Sequence, residues 1–333
     1  MNQVSNTNAT PAAAATRPAS LSVPLNAHAV VVREFGGIDQ LDYTTVPVPT
    51  PGMGQVLVRV LAVGVGPWDA WVRSGHSVVP QPLPLTPGSD ICGIVVNLGP
   101  DVDHLKVGDE VYGVTNPRFT DGYADYAIAH VDMIALKPQK LGYEEAASAP
   151  VLAVTAHQML FNYAELQPGQ RVLIHGAAGN VGAYAVQLAH NAGAYVIGTA
   201  SSANADYVRS LGADEVVIAR TGSFASYANN IDVVIDLVGA VTHDASWTVL
   251  REGGVLVSAV TEPDKARAAE KNIRSDFLLV SVKTDVLNAI GEQLNADRLH
   301  TRVGEVLRLS EAKLAHGMLE GKPHRAGKIV LIP

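Results

Sequence analysis

The sequence predicts an α/β protein in two parts, a small mostly β unit and a doubly wound parallel sheet. Three observations predict it. From Ala27 to Lys137 short β-rich runs are separated by Pro- and Gly-rich turns. From Tyr143 onward helix-period stretches alternate with continuous apolar runs, the pattern of strands buried on both faces. The chain has 333 residues, enough for two domains that each bury a core.

In the first part the expected strands are Val30–Val32, Val56–Val63, Gly93–Leu98 and Glu110–Val114, with turns at Pro47–Gly54 and Pro80–Gly88. In the second, strand Arg171–His175 leads into helix Val181–Ala192, and strand Tyr195–Thr199 into helix Ala203–Leu211. Further strands are expected at Asp214–Ile218, Ile231–Leu237, Gly254–Ala259 and Asp276–Lys283. After Thr284 come a helix, a short strand near Leu299–Val303, a helix at Ser310–Glu320 and a last strand at Gly327–Ile332. The expected organisation is a disordered tail at 1–24, a first domain at 25–150 completed by 284–333, and the doubly wound domain at 151–283. The tail is small, polar and interrupted by proline, with no apolar periodicity and no signal-peptide pattern.

Composition narrows the function. With 24 Lys+Arg against 32 Asp+Glu the net charge is −8, a balance that repels phosphate backbones and anionic lipid. Nucleic-acid and membrane partners are therefore not expected, and no apolar run approaches the ~20 residues of a membrane-spanning helix. Cys92 is the only cysteine, so an intramolecular disulfide and a cysteine-rich metal site are both excluded. A reducing, cytoplasmic setting is expected.

The chemistry centres on the stretch RVLIHGAAGNVGAYAVQLA. A strand runs into Gly176, Ala177, Ala178, Gly179, Asn180, Val181 and Gly182, and a helix follows. Gly179 falls where the backbone must approach a pyrophosphate, and Gly182 where helix and strand pack tightly. The free N–H groups of the helix N-terminus face the phosphates. Alone such a turn can be a tight connection without ligand; the flanking strand and helix and the next βαβ step make it a dinucleotide site. NAD sites place a carboxylate about 20 residues further on. Here that segment reads Thr199, Ala200, Ser201, Ser202, Ala203, Asn204, with no acid before Asp206. Ser201, Ser202 and Asn204 can donate to a 2′-phosphate, and Arg220 is the candidate cation. NADPH is the expected cofactor.

Eight stretches together resemble the quinone-oxidoreductase branch of the medium-chain dehydrogenase/reductase superfamily. They are VGVGPWDAWVRSG (Val63–Gly75), PGSDICGIV (Pro87–Val95), VGDEVYG (Val107–Gly113), VLIHGAAGNVGAYAVQLA (Val172–Ala189), SLGADEVV (Ser210–Val217), DVVIDLVG (Asp232–Gly239), LREGGVLVS (Leu250–Ser258) and GKIVL (Gly327–Leu331). The resemblance implies a GroES-like catalytic domain built from both chain ends and a Rossmann domain between, with the nicotinamide in the cleft and a homodimer as the assembly. Zinc-dependent relatives carry a cysteine in the loop matching Gly64–Asp69 and Gly-His-Glu where this chain has Gly88, Ser89 and Asp90. Catalytic zinc needs three protein ligands, so no metal is expected. Without that Lewis acid, reduction of an electrophilic quinone or α,β-unsaturated carbonyl is favoured over alcohol oxidation. The chain departs from the branch at Gly66, where Asn is usual, at Ala205, where Lys is frequent, and near Ala219, where Tyr is frequent.

By the same resemblance Thr155 lies near the nicotinamide. By their position after strands, Leu237, Val238 and Gly239, then Ser258, Ala259 and Val260, are expected to line its pocket. Trp68, Asp69, Trp71, Arg73 and His76 lie on the loop facing the cleft, and Trp68 and Trp71 could wall a flat acceptor or simply pack between domains. Asp69 is expected to stabilise its loop and Asp90 to serve structure, and no acid–base catalyst is assigned. The leading function is NADPH-dependent reduction of a quinone or enone. The alternatives are an NADPH-binding family member with little catalysis, crystallin-like or regulatory, and an acyl-chain reductase domain of a synthase, which lacks its adjoining domains here.

Overall fold

The structure is a computed structural model that describes residues 22–218 and 229–333. In chain order its strands are β1 (Asn26–Val31), β2 (Asp42–Pro47), β3 (Gln55–Val65), β4 (Asp90–Leu98), β5 (Glu110–Val114), β6 (Tyr126–His130), β7 (Ile134–Leu136), β8 (Arg171–His175), β9 (Tyr195–Ala200), β10 (Glu215–Ile218), β11 (Ile231–Asp236), β12 (Leu250–Ser258), β13 (Arg274–Phe277), β14 (Val303–Arg308) and β15 (Lys328–Ile332). Its helices are α1 (Pro67–Ser74), α2 (Tyr143–Ala147), α3 (Pro150–His157), α4 (Asn180–Asn191), α5 (Ala205–Ser210), α6 (Ala240–Val249), α7 (Lys265–Glu270), α8 (Thr284–Asn295) and α9 (Ala312–Leu319).

The apolar runs after residue 170 form one six-stranded parallel sheet in the order β10-β9-β8-β11-β12-β13. The direction of winding reverses between β8 and β11, and ligands of doubly wound sheets bind at the carboxyl ends of the strands there. The second sheet runs β14-β15-β3-β4-β5-β7, with β6 also paired to β3, so it takes strands from both chain ends. Strands β6 and β14 alternate between more and less buried positions, whereas β3, β4, β5 and β15 are buried along most of their length. A small β1–β2 hairpin lies beside it. The α/β fold class is as expected from the sequence.

One core joins the two parts. Tyr112 and Val114 of β5, Ala153 and Val154 of α3, Val172 and Ile174 of β8, and Leu287 and Ile290 of α8 belong to a single buried cluster. The apolar face of α8 presents Leu287, Ile290, Gly291 and Leu294 at helical spacing. Tyr112 secures the contact by donating its hydroxyl to the Leu287 carbonyl at 2.6 Å.

Several segments differ from expectation. Strand β13 ends at Phe277, not Lys283, because Leu278 makes the last bond to the sheet and Gln158 then takes the place of a neighbouring strand. Its side chain donates to the Ser281 carbonyl and accepts from the Ser281 N–H. The strand expected near Leu299–Val303 begins only at Val303, since Gln187 binds both the N–H and the carbonyl of His300. Strands β2, β6 and β7 were not anticipated. Among the described residues no helix is long and apolar enough to cross a membrane. The expected tail lies largely outside the described residues, as does Arg220.

Candidate active site

A cleft of about 1020 Å³ runs between the two sheets. Its floor on one side is the turn from β8 into α4. Gly176 adopts φ +73°, open to glycine, and turns the chain sharply. A Cβ on Gly182 would meet the Gly176 carbonyl oxygen at 2.2 Å, so only glycine lets the helix sit this close to the strand. Gly179 has no side chain to cap α4, and the first helical bond is donated by Ala183. The N–H groups of Asn180, Val181 and Gly182 are thus left without helical partners where these residues line the cleft. This is a cradle for an anionic group, and a dinucleotide pyrophosphate fits it.

The far end of that floor is β9. Ser201 and Asn204 line the cleft and are joined by an Asn204 Nδ2 to Ser201 Oγ bond of 3.2 Å. Ser202 is exposed beside them but outside the lining. Among the described residues the only carboxylates lining the cleft are Asp69 and Asp90, both at the opposite end.

Loops after β11 and β12 form the next wall, and one buried carboxylate sets both. Asp236 is fully buried and accepts from Ser258 Oγ at 2.8 Å, Thr242 Oγ1 at 2.6 Å, His243 Nε2 at 3.0 Å and the Val238 and Gly239 N–H groups at 3.2 Å. Burial alone would raise its pKa, yet the hydroxyl and backbone donors hold it below the ordinary carboxylate value. Two expectations are corrected here. Ser258 and Gly239 do not line the cleft; they are buried and turned to Asp236, while Leu237, Val238, Ala259 and Val260 line it. Thr155 also lines it, with its hydroxyl returned to the Val151 carbonyl at 2.7 Å.

The opposing wall begins at α1. Pro67 at the first helical position and the Asp69 carboxylate on the Gly66 N–H start this helix, and Gly75 at φ +79° ends it. Trp68, Asp69 and Trp71 all line the cleft. Trp68 meets Trp71 and Phe119 edge-on, at 6.3 and 5.9 Å between ring centroids. With Val78 and Leu279 they make an apolar, aromatic pocket. His76 lies on its rim, whereas Arg73 points away from the cleft to Gly36, His316 and Glu320.

Sequence reasoning missed Lys328. It lies in the first position of β15, lines the cleft and donates to Asp90 Oδ2 at 2.8 Å, with both side chains about 5% exposed or less. Asp90 Oδ1 accepts the Val151 N–H at 2.9 Å. Asp69 is likewise buried, and burial lifts it to about 6 against the opposing effects of the Gly66 N–H, Lys328 and Tyr123. The signal for Lys328 was a lone cation in an apolar terminal strand, which requires a buried partner.

Comparison with known proteins identifies the family. Residues 52–159 match the family described as alcohol dehydrogenase GroES-like domain, and residues 211–331 that described as zinc-binding dehydrogenase. The chain is 36% identical over 265 residues to 2-methylene-furan-3-one reductase of Solanum lycopersicum, covering 76% of this chain and 68% of that one. It belongs to the quinone-oxidoreductase-like branch of the medium-chain dehydrogenase/reductase superfamily. It is also 32% identical over 274 residues to the chloroplastic NADPH-dependent alkenal/one oxidoreductase of Arabidopsis thaliana, covering 78% and 70% of the two chains. Among solved structures, a quinone oxidoreductase from Coxiella burnetii matches with TM-score 0.84 and 33% identity over 92% of this chain and 99% of that one.

Membership makes this chain an oxidoreductase, and the superfamily's fold implies a nicotinamide cofactor. The zinc in one family's description does not fit the residues present. Ser89 stands beside Asp90, both Asp90 oxygens are committed, and Cys92 is buried and held far from its thiolate form by burial. Among the described residues no group of three His, Cys, Asp or Glu side chains is arranged to hold a metal ion.

Proposed function

We propose that this medium-chain reductase uses NADPH, without a catalytic metal, to reduce quinones or α,β-unsaturated carbonyls. The observation that carries it is the pairing of a phosphate cradle with an aromatic pocket that, among the described residues, holds one buried cation, Lys328. The dinucleotide, when bound, supplies the hydride. The protein's own residues do the rest. Asn180, Val181 and Gly182 hold the phosphates, and Ser201 and Asn204 meet the 2′-phosphate where a carboxylate would repel it. The tryptophans and Phe119 exclude water and flank a flat, neutral acceptor. The Lys328 ammonium favours an acceptor oxygen that gains negative charge. Names of the relatives support the same substrates, and one of them is NADPH-dependent.

The test is NADPH and NADH consumption with a panel of quinones and enones on metal-analysed protein. Turnover with NADPH well above that with NADH is expected, with no stoichiometric zinc. Tight NADPH binding without turnover on any acceptor identifies a binding protein instead. The same proposal includes a homodimer, since among the described residues β13 is an edge strand of the parallel sheet and can pair with its copy across a two-fold axis; a monomer by light scattering removes that part.

A further inference from the structure

Reduction of an enone by hydride leaves an enolate that needs a proton, and the cleft wall opposite the glycine turn holds a group placed for it. Two carboxyl groups and one ammonium are buried there together. Lys328 is committed to Asp90 at 2.8 Å. Asp69 meets only neutral donors, the Gly66 N–H at 2.9 Å and the Tyr123 hydroxyl at 3.0 Å, and both bind Oδ2. Its Oδ1 makes no hydrogen bond among the described residues, and the residue lines the cleft. A second buried carboxylate with no cation of its own is unfavourable. The cluster therefore holds its last proton to a higher pH than an exposed carboxyl would, and with Asp90 holding the ammonium that proton resides on Asp69.

The hydrogen bonds behind Asp69 have a fixed direction. Arg73 Nη1 lies 3.0 Å from His316 Nδ1, and a guanidinium only donates. Nδ1 must accept, so the ring proton is on Nε2, which donates to Tyr123 Oη at 3.3 Å. Tyr123 then turns its own proton to Asp69. Burial, with the Arg73 charge, holds His316 at about 3, so it stays neutral throughout the working range. Arg73 itself is anchored by the Gly36 carbonyl and by Glu320 at 2.7 Å. The charged and titratable groups facing Asp69 are thus Tyr123, Lys328 and Asp90, with His316 and Arg73 one step behind.

We propose that Asp69 is the acid that protonates the reduced substrate, and that Tyr123 and His316 are its positioning residues. The inference rests on the reductase function above. As the new C–H bond forms at the β-carbon, the π electrons move to the carbonyl oxygen. The O–H bond of the Asp69 carboxyl then breaks, its proton goes to the α-carbon, and NADPH has become NADP+. Water returns the proton to Asp69 after product leaves. An acid lifted by burial to about 6 is well matched to proton transfer near neutral pH.

Asp69→Asn tests this, because an amide oxygen still accepts from Gly66 and Tyr123 and keeps the helix start. With an α-methyl enone in D2O, wild type is expected to place deuterium on one face of the α-carbon. D69N should lose that selectivity and about 100-fold or more in kcat, while hydride still arrives on one face of the β-carbon. A second readout needs no turnover. Infrared difference spectra of ligand-free protein between pH 4 and 8 should show a buried carboxyl that vanishes in D69N. In Tyr123→Phe it should titrate at higher pH, because a donor to the ionised form is lost. Retained α-face selectivity in D69N, or no carboxyl change on its substitution, overturns the proposal. If wild type reduces no enone or quinone, the function beneath it fails as well, and wild type and variant then fail alike.

Discussion

Lys328→Met is the most informative single perturbation of this fold. The ammonium and Asp90 Oδ2 are 2.8 Å apart, and their side chains are 4% and 5% exposed. Methionine fills most of the volume of the lysine stem but leaves the Asp90 carboxylate with one remaining donor, the Val151 N–H. Breaking a buried pair on one side costs about 3–5 kcal/mol, because the partner stays charged in a poorly solvating site. The contact joins the last strand to the cleft wall, so the effect reaches the whole catalytic sheet. Urea unfolding followed by tryptophan fluorescence measures it, with Trp68 and Trp71, which line the same cleft, as reporters. The Asp90→Asn change in the Lys328→Met background should recover at least half of the loss, since it removes the orphaned charge. A loss below about 1 kcal/mol in Lys328→Met, or no recovery in the double variant, would refute a buried and mutually dependent pair.

Other outcomes follow from the same structure. Gly182→Ala puts a Cβ 2.2 Å from the Gly176 oxygen; overpacking of about 1–3 kcal/mol is expected, with NADPH affinity weakened at least about tenfold, both measurable by calorimetry. Ser201→Asp should raise the NADPH KM by about tenfold or more and leave that for NADH nearly unchanged, through like-charge repulsion at the 2′-phosphate. Asp69 sits at about 6 in the folded chain against an ordinary value of 3.8. A raised carboxyl helps stability fully below the unfolded value and loses that contribution as pH rises through the folded one. Asp69→Asn should therefore gain on wild type between pH 4 and 7, by up to about 3 kcal/mol, in unfolding midpoints taken across that range.

Much of the fold was legible because its signals are local. The run Arg171–His175, the glycines at 176, 179 and 182 and the apolar strand Ile231–Asp236 carry their own period and turn chemistry. What escaped depends on contacts distant in sequence. The short strands β2, β6 and β7 take their register from β1, β3 and β5 rather than from their own composition. The early end of β13 and the late start of β14 are decided by two glutamines, Gln158 and Gln187, whose amides replace a strand's backbone. Position after a strand suggested that Ser258 faces the ligand, but Asp236, 22 residues earlier, claims its hydroxyl.

The candidate site divides the same way. Its phosphate end is written in one continuous stretch and could be named residue by residue. Its chemical end is assembled from separate places: Asp69 on α1, Asp90 on β4, Tyr123 before β6, His316 on α9 and Lys328 on β15. No spacing rule links residues 69, 123 and 316, so their joint meaning exists only once the sheet closes over both chain ends. Asp69 shows the consequence. Within its own helix it is a cap on the Gly66 N–H, and that role alone explains an aspartate at this position. The surrounding burial, the commitment of Lys328 to Asp90 and the fixed hydrogen of Tyr123 are what turn the same carboxyl into an acid. A cap needs only an oxygen, whereas an acid needs a proton. Asp69→Asn keeps the first and removes the second, so the two roles separate in one substitution.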